Sequence, residues 1–177
     1  DNVVLKVYDF PIFYSPKFSH PDPTVKRRSG LLAPSLTNST TLGSGFATPY
    51  FWNISNDKDL TITPKFYLKE NPLVLAEFRQ DFKNSFLFVD TGYTPGYKKK
   101  DAKKSGGSRS HFFSNLNISL LDKEDEISNI EIKTEQVTND TYFKIYDVET
   151  SLVKEDKTVL ENKIDLNYRN KDFYLSL

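Results

Sequence analysis

Cysteine is absent from the 177 residues, so no disulfide and no thiolate metal site can form within the chain. Histidine is scarce: only His20 and His111 occur, far apart in sequence. No run of about eighteen apolar residues exists, and mean hydropathy is −0.54, which excludes a helical membrane span. A transmembrane barrel is not excluded, because its strands alternate apolar and polar residues and average out as hydrophilic. Basic and acidic residues number 24 each, so net charge does not point to a nucleic-acid partner. The amino terminus lacks a basic stretch followed by an apolar one, and Phe173–Leu177 reads as the middle of a strand. Both ends fit a piece of a longer precursor; a cytosolic chain is the alternative reading of the amino terminus. None of G-x-S-x-G, H-E-x-x-H, Walker A or G-x-G-x-x-G occurs, so the expectation is a non-enzymatic protein without cofactor or metal. His111 reads as structural. Glu77, Asp81 and Asp90 read as carboxylates on a water-facing side of a sheet, with nothing tying them into an acid–base pair.

What is present is period-two alternation, with almost no helical periodicity. Leu60, Ile62, Phe66 and Leu68 fall on one side of a strand with Pro64 in the same row, and Thr61, Thr63, Lys65 and Tyr67 on the other. Phe112, Leu116, Ile118 and Leu120 stand against Phe113, Asn115, Asn117 and Ser119, and Leu160, Ile164, Leu166 and Tyr168 against Glu161, Lys163, Asp165 and Asn167. One greasy and one strongly polar face suit a sheet between oil and water. Strands are expected at 2–8, 11–14, 30–36, 45–54, 60–68, 73–79, 85–93, 111–121, 127–136, 158–168 and 172–177, several near the ~9–11 residues of a tilted membrane strand. The class is all-β, an antiparallel meander. Counting from 30–36, the even links (55–59, 80–84, 122–126, 169–171) are short. The odd ones (37–44, 94–110, 137–157) are longer, with 69–72 an exception, and outer-membrane barrels show such an asymmetry. The basic stretch 98–109 reads as a solvated loop, or as a contact for anionic head groups.

Pro34 and Pro49 fall inside two adjacent segments that otherwise read as strands. Proline donates no N–H to a ladder, so each belongs on an edge or where pairing is meant to stop. Two of them across one hairpin suggest a weakened seam; two ordinary edge strands are the alternative. Tyr50, Phe51 and Trp52 fit an aromatic girdle at a membrane interface or plain sheet packing. Lys26, Arg27 and Arg28 fit contacts to lipid phosphate or a solvated hinge.

Three stretches together resemble one family. They are Phe10-Pro-Ile-Phe-Tyr-Ser-Pro-Lys-Phe-Ser-His-Pro21 followed by Arg27-Arg-Ser-Gly-Leu-Leu-Ala-Pro-Ser35; Gly45-Phe-Ala-Thr-Pro-Tyr-Phe-Trp-Asn-Ile54 followed by Leu60-Thr-Ile-Thr-Pro64; and Val137-Thr-Asn-Asp-Thr-Tyr-Phe143. In order and spacing they resemble the LptD family, the lipopolysaccharide-assembly (organic solvent tolerance) proteins of the Gram-negative outer membrane, well over residues 7–82 and more loosely beyond. The resemblance implies that 1–24 is the end of a periplasmic β-jelly-roll with its linker, and that 25–177 holds the first strands of a transmembrane barrel. It implies insertion of lipopolysaccharide into the outer leaflet through a lateral gate weakened by Pro34 and Pro49. The implied partners are lipopolysaccharide, an LptE-like lipoprotein plug, an LptA-like periplasmic bridge and membrane lipid, with no nucleic acid. The cysteines of many family members have no counterpart here. A soluble or surface β-sandwich that binds a protein or glycan is the rival reading, and a porin-like fragment is a third.

Overall fold

The computed structural model describes residues 3–7, 10–15, 27–98, 106–123, 126–153, 157 and 159–177. Strands β1 (Val3–Val7) and β2 (Phe10–Ser15) form a two-stranded antiparallel sheet. Every other strand among the described residues belongs to one eleven-stranded sheet. It comprises β3 (Gly30–Leu31), β4 (Ser35–Ser39), β5 (Gly43–Ala47), β6 (Tyr50–Ser55), β7 (Lys58–Tyr67), β8 (Leu73–Phe82) and β9 (Ser85–Thr94). It continues through β10 (Arg109–Lys123), β11 (Glu126–Val137), β12 (Asn162–Asn170) and β13 (Tyr174–Ser176). From β7 to β13 each strand pairs antiparallel with the next in sequence, which is the meander that the alternation implies.

The first hairpin departs from the sequence expectation. The single strand expected at 30–36 is two, β3 and β4, parted at Leu32, Ala33 and Pro34. The one expected at 45–54 is also two, β5 and β6, parted at Thr48 and Pro49. A proline offers no ladder donor and fixes φ, so regular pairing stops at each. The link expected at 37–44 contracts to a turn at 40–42, because pairing extends to Ser39↔Gly43, with Gly43 at φ +80° supplying the backbone that closes the turn. The length contrast therefore rests on 95–108 and 138–161 against links of two residues at 56–57, 83–84 and 124–125. The 138–161 link also carries a helix that alternation does not foreshadow, α1 (Tyr142–Tyr146).

The register aligns the rows across strands. Thr61, Glu77, Asp90, Phe113 and Glu135 lie opposite one another in turn, as do Asp59, Arg79, Phe88, Asn115, Lys133 and Lys163. These rows form the polar face. Tyr50, Ile62, Ala76, Thr91, Phe112 and Gln136 share the other face, along with Phe46 and Phe66. The buried core lies on the polar side. There Leu42, Tyr67, Leu73, Tyr142, Tyr146 and Val148 cluster where α1 folds back over the sheet. The apolar face is bare among the described residues: Leu36, Tyr50, Trp52, Phe66, Val74, Tyr93, Phe112 and Ile164 are all exposed, and Leu68, beyond the end of β7, reaches 80%.

Candidate functional site

The interrupted hairpin is the edge of the sheet. β3 pairs with β6 through Gly30↔Phe51 and Leu31↔Tyr50, and β4 pairs with β5 from Ser35↔Ala47 outward. Between them three residues, 32–34, face two, 48 and 49, so the edge strand bulges by one residue. One backbone bond enters this gap from the edge, Leu32 N–H to the Pro49 carbonyl at 2.8 Å. On the inner side β7 passes unbroken, pairing with β6 through Ile62 and with β5 from Lys65. The β7 residues that face the gap are Thr63 and Pro64, and Thr48 N–H reaches the Pro64 carbonyl at 3.3 Å. Three prolines on three neighbouring strands therefore lie at one level of the sheet, and none has an N–H to give. Pro34 and Pro49 are brought together, both half-buried. Pro64, which the sequence places in an apolar row and at the end of the second family stretch, completes the line.

The short-link end of this edge is fastened by charge. Asp59, 2% exposed, is ion-paired with Arg27 and accepts from Arg79 Nε at 2.9 Å. The Arg27 guanidinium also lies over the Phe51 ring at 5.5 Å. Asn53 Nδ2 donates to the Arg27 carbonyl, and Asn53 N–H to Ser29 Oγ, both at 2.9 Å. The segment that enters β3 is thus tied to β6 and β7 by its own backbone and side chains. Of the three basic residues singled out in the sequence, Arg27 is engaged in this way, Arg28 is exposed, and Lys26 lies outside the described residues. The aromatic trio is split by strand parity. Tyr50 and Trp52 are exposed on the apolar face, opposite Ile62 and Leu60, whereas Phe51 lies opposite Thr61 on the polar face.

A second fastening lies at the opposite end, under α1. His111, 2% exposed, has Nε2 3.1 Å from Asp90 Oδ1 and Nδ1 3.2 Å from the Tyr142 hydroxyl. The sequence ties Asp90 into no acid–base pair, but the structure sets a histidine against it: the β9–β10 register puts Asp90 opposite Phe113, and two residues along β10 the His111 imidazole reaches back to the carboxylate. His111 thus bridges β9 and α1, with Asp90 at one ring nitrogen and the Tyr142 hydroxyl at the other. Gly92 allows this approach. A Cβ there would lie 2.7 Å from His111 Cε1, Leu75 Cδ2 and the Tyr142 hydroxyl. Burial pushes the phenols of Tyr142 and Tyr146 above the ordinary tyrosine range. Where the 138–161 link returns to the sheet, the buried Glu135 carboxylate takes Lys157 Nζ at 2.8 Å, Lys133 Nζ at 2.9 Å and Glu161 N–H at 2.8 Å. Among the described residues no group of three or more His, Cys, Asp or Glu could hold a metal ion.

No family model matches the chain. Individual proteins do. The LPS-assembly protein LptD of Nitrosococcus oceani is 31% identical over 172 residues, 93% of this chain and 21% of that protein. LptD of Pseudoalteromonas translucida is 41% identical over 78 residues, 44% of this chain and 10% of that protein. LptD of Pseudomonas putida strain W619 is 38% identical over 84 residues, 48% of this chain and 9% of that protein. The chain spans about a fifth of the first of these and less of the others. With an all-β sheet, and with a match that runs along nearly all of its own length, the chain is homologous to the LPS-assembly proteins LptD.

Proposed function

We propose that this chain supplies the opening strands of an outer-membrane β-barrel and takes part there in lipopolysaccharide assembly, with the proline-interrupted edge as a lateral outlet. The observation that carries this reading is the bare apolar face. Burying a Leu or Phe side chain is worth about 1.5–3 kcal/mol, so a sheet that leaves a row of them uncovered and buries its core on the polar side suits a lipid surroundings. In a soluble sandwich a second sheet would take up that face. Tyr50 and Trp52 then stand at the lipid side as interface aromatics. Residues 1–24 are assigned to the end of a periplasmic jelly-roll and its linker, and 25–177 to the barrel. Lys26 and Arg28 are offered to lipid phosphate. Arg27 joins them only by sharing its guanidinium with Asp59. The proposed partners are lipopolysaccharide, a lipoprotein plug in the lumen, a periplasmic bridge that delivers the lipid, and membrane lipid around the barrel.

The outlet follows from ladder energetics. Each ladder bond is worth on the order of 1 kcal/mol net in water and more where no water can replace it. Prolines on the first strands lower the number of bonds to be broken when the edge parts, so a bulky amphipathic lipid can leave sideways from a polar lumen. Photo-crosslinkers at Ile62 and Thr63 in the full-length protein, in membranes, test the facing. Capture of lipid at 62 and not at 63 is expected; capture at 63 in preference to 62 refutes the assignment of the apolar face to lipid.

A further inference from the structure

The edge hairpin is held on the polar face at two places, one on each side of the proline gap, and the two holds differ in kind. Below the gap, β6 meets β7 through five register pairs, and the Asp59 cluster pins the segment that leads into β3. Above it, β5 meets β7 through three, Gly45↔Tyr67, Phe46↔Phe66 and Ala47↔Lys65, extended by Leu68 N–H to the Ser44 carbonyl at 3.0 Å and Lys69 N–H to the Leu42 carbonyl at 3.3 Å. Two of those three β7 residues are also gripped by α1 and the turn after it: Tyr67 OH donates to the Tyr146 carbonyl at 3.3 Å, and Lys65 Nζ to the Asp147 carbonyl at 2.7 Å. The hairpin tip is gripped as well, since Leu42 is 1% exposed in the cluster it shares with Tyr142, Tyr146 and Val148.

We propose that α1 is a strap on the upper half of the edge hairpin: β4 and β5 swing away from β7 only when Leu42 leaves the α1 cluster, while β3 and β6 stay pinned by Asp59. The proline gap is then the hinge between a movable and a fixed half. This rests on the lateral-outlet reading for its purpose but not for its mechanics.

Hydrogen exchange on the full-length protein in detergent tests it. In Leu42→Ala the amides of 36–47 are expected to exchange at least about tenfold faster, with those of 50–54 unchanged. Tyr67→Phe, which removes one bond to α1 and opens little space, is expected to give a smaller rise over the same segment. It keeps the test decisive if the first variant fails to fold. No rise over 36–47 in Tyr67→Phe and in folded Leu42→Ala, or an equal rise across 30–55, overturns the strap. If the exchange result is as expected but lipopolysaccharide delivery in cells carrying Tyr67→Phe is unaltered, the strap stands and the lateral outlet is refuted.

Discussion

Gly92→Ala isolates the packing of α1 against the sheet. The new methyl would approach three side-chain atoms, on β8, β10 and α1, at 2.7 Å, about 0.7 Å inside the 3.4 Å at which ordinary contact begins. Leu75 is fixed within β8, and His111 is held by Asp90 at 3.1 Å. Tyr142 sits on a helix of five residues whose amino end has no side-chain cap, so α1 is the element that yields. Overpacking of this size costs about 1–3 kcal/mol, and loss of the His111–Tyr142 bond adds about 1 kcal/mol. The expected result is a destabilisation of about 2–4 kcal/mol in denaturant unfolding of the full-length protein, with faster hydrogen exchange over 142–148. Tyr142→Phe removes the hydroxyl that the methyl strikes, so the double variant is expected to recover about 1 kcal/mol relative to Gly92→Ala plus Tyr142→Phe taken additively. A neutral Gly92→Ala with unchanged exchange, or strict additivity, refutes this account of why a glycine stands there.

Two further outcomes follow from the fastenings. Asp59→Asn leaves Arg27 and Arg79 without their carboxylate, and because both arginines are substantially exposed the loss is expected to be only about 1 kcal/mol. Exchange is expected to rise at 30–32 and 51–53 and not over 36–47. Alkaline pH acts on α1: the folded-state pKa values of Tyr142 and Tyr146 lie above the ordinary value near 10, so the stability they contribute is fully present below about pH 10 and falls as pH rises beyond it. An absorbance titration that shows these two phenols ionising with exposed tyrosines, rather than after them, contradicts their burial.

Much of the sheet is legible from residue parity alone. The alternation at Leu60–Leu68 and Phe112–Leu120 fixes which side chains share a face, because a strand has a period of two, and the structure keeps those faces up to the irregularity between Ser119 and Leu121. The third proline was within reach as well: Pro49 and Pro64 each lie seven residues from the 56–57 turn, so a hairpin folded there sets them on neighbouring strands at one level. The split of Tyr50 and Trp52 from Phe51 follows from the same parity. α1 was not legible. Tyr142-Phe-Lys-Ile-Tyr146 is too short for a 3.6 period, and its aromatic and β-branched residues favour strand locally. It is helical through its packing on Tyr67, Leu73 and His111, residues 31 to 79 positions away in sequence. The Asp90–His111 contact was hidden for a related reason, since it depends on the β9–β10 register across the link at 95–108.

The claim that the proline gap is an outlet is tested most directly by restoring its donors. Pro34→Ala with Pro49→Ala returns two N–H groups to the edge, each worth about 1 kcal/mol in a ladder, or together roughly a 30-fold change in rate where parting of the edge limits transport. Delivery of lipopolysaccharide to the cell surface by the full-length double variant, present in the outer membrane at its normal amount, is expected to slow by up to that factor. Delivery at the unaltered rate would contradict the outlet.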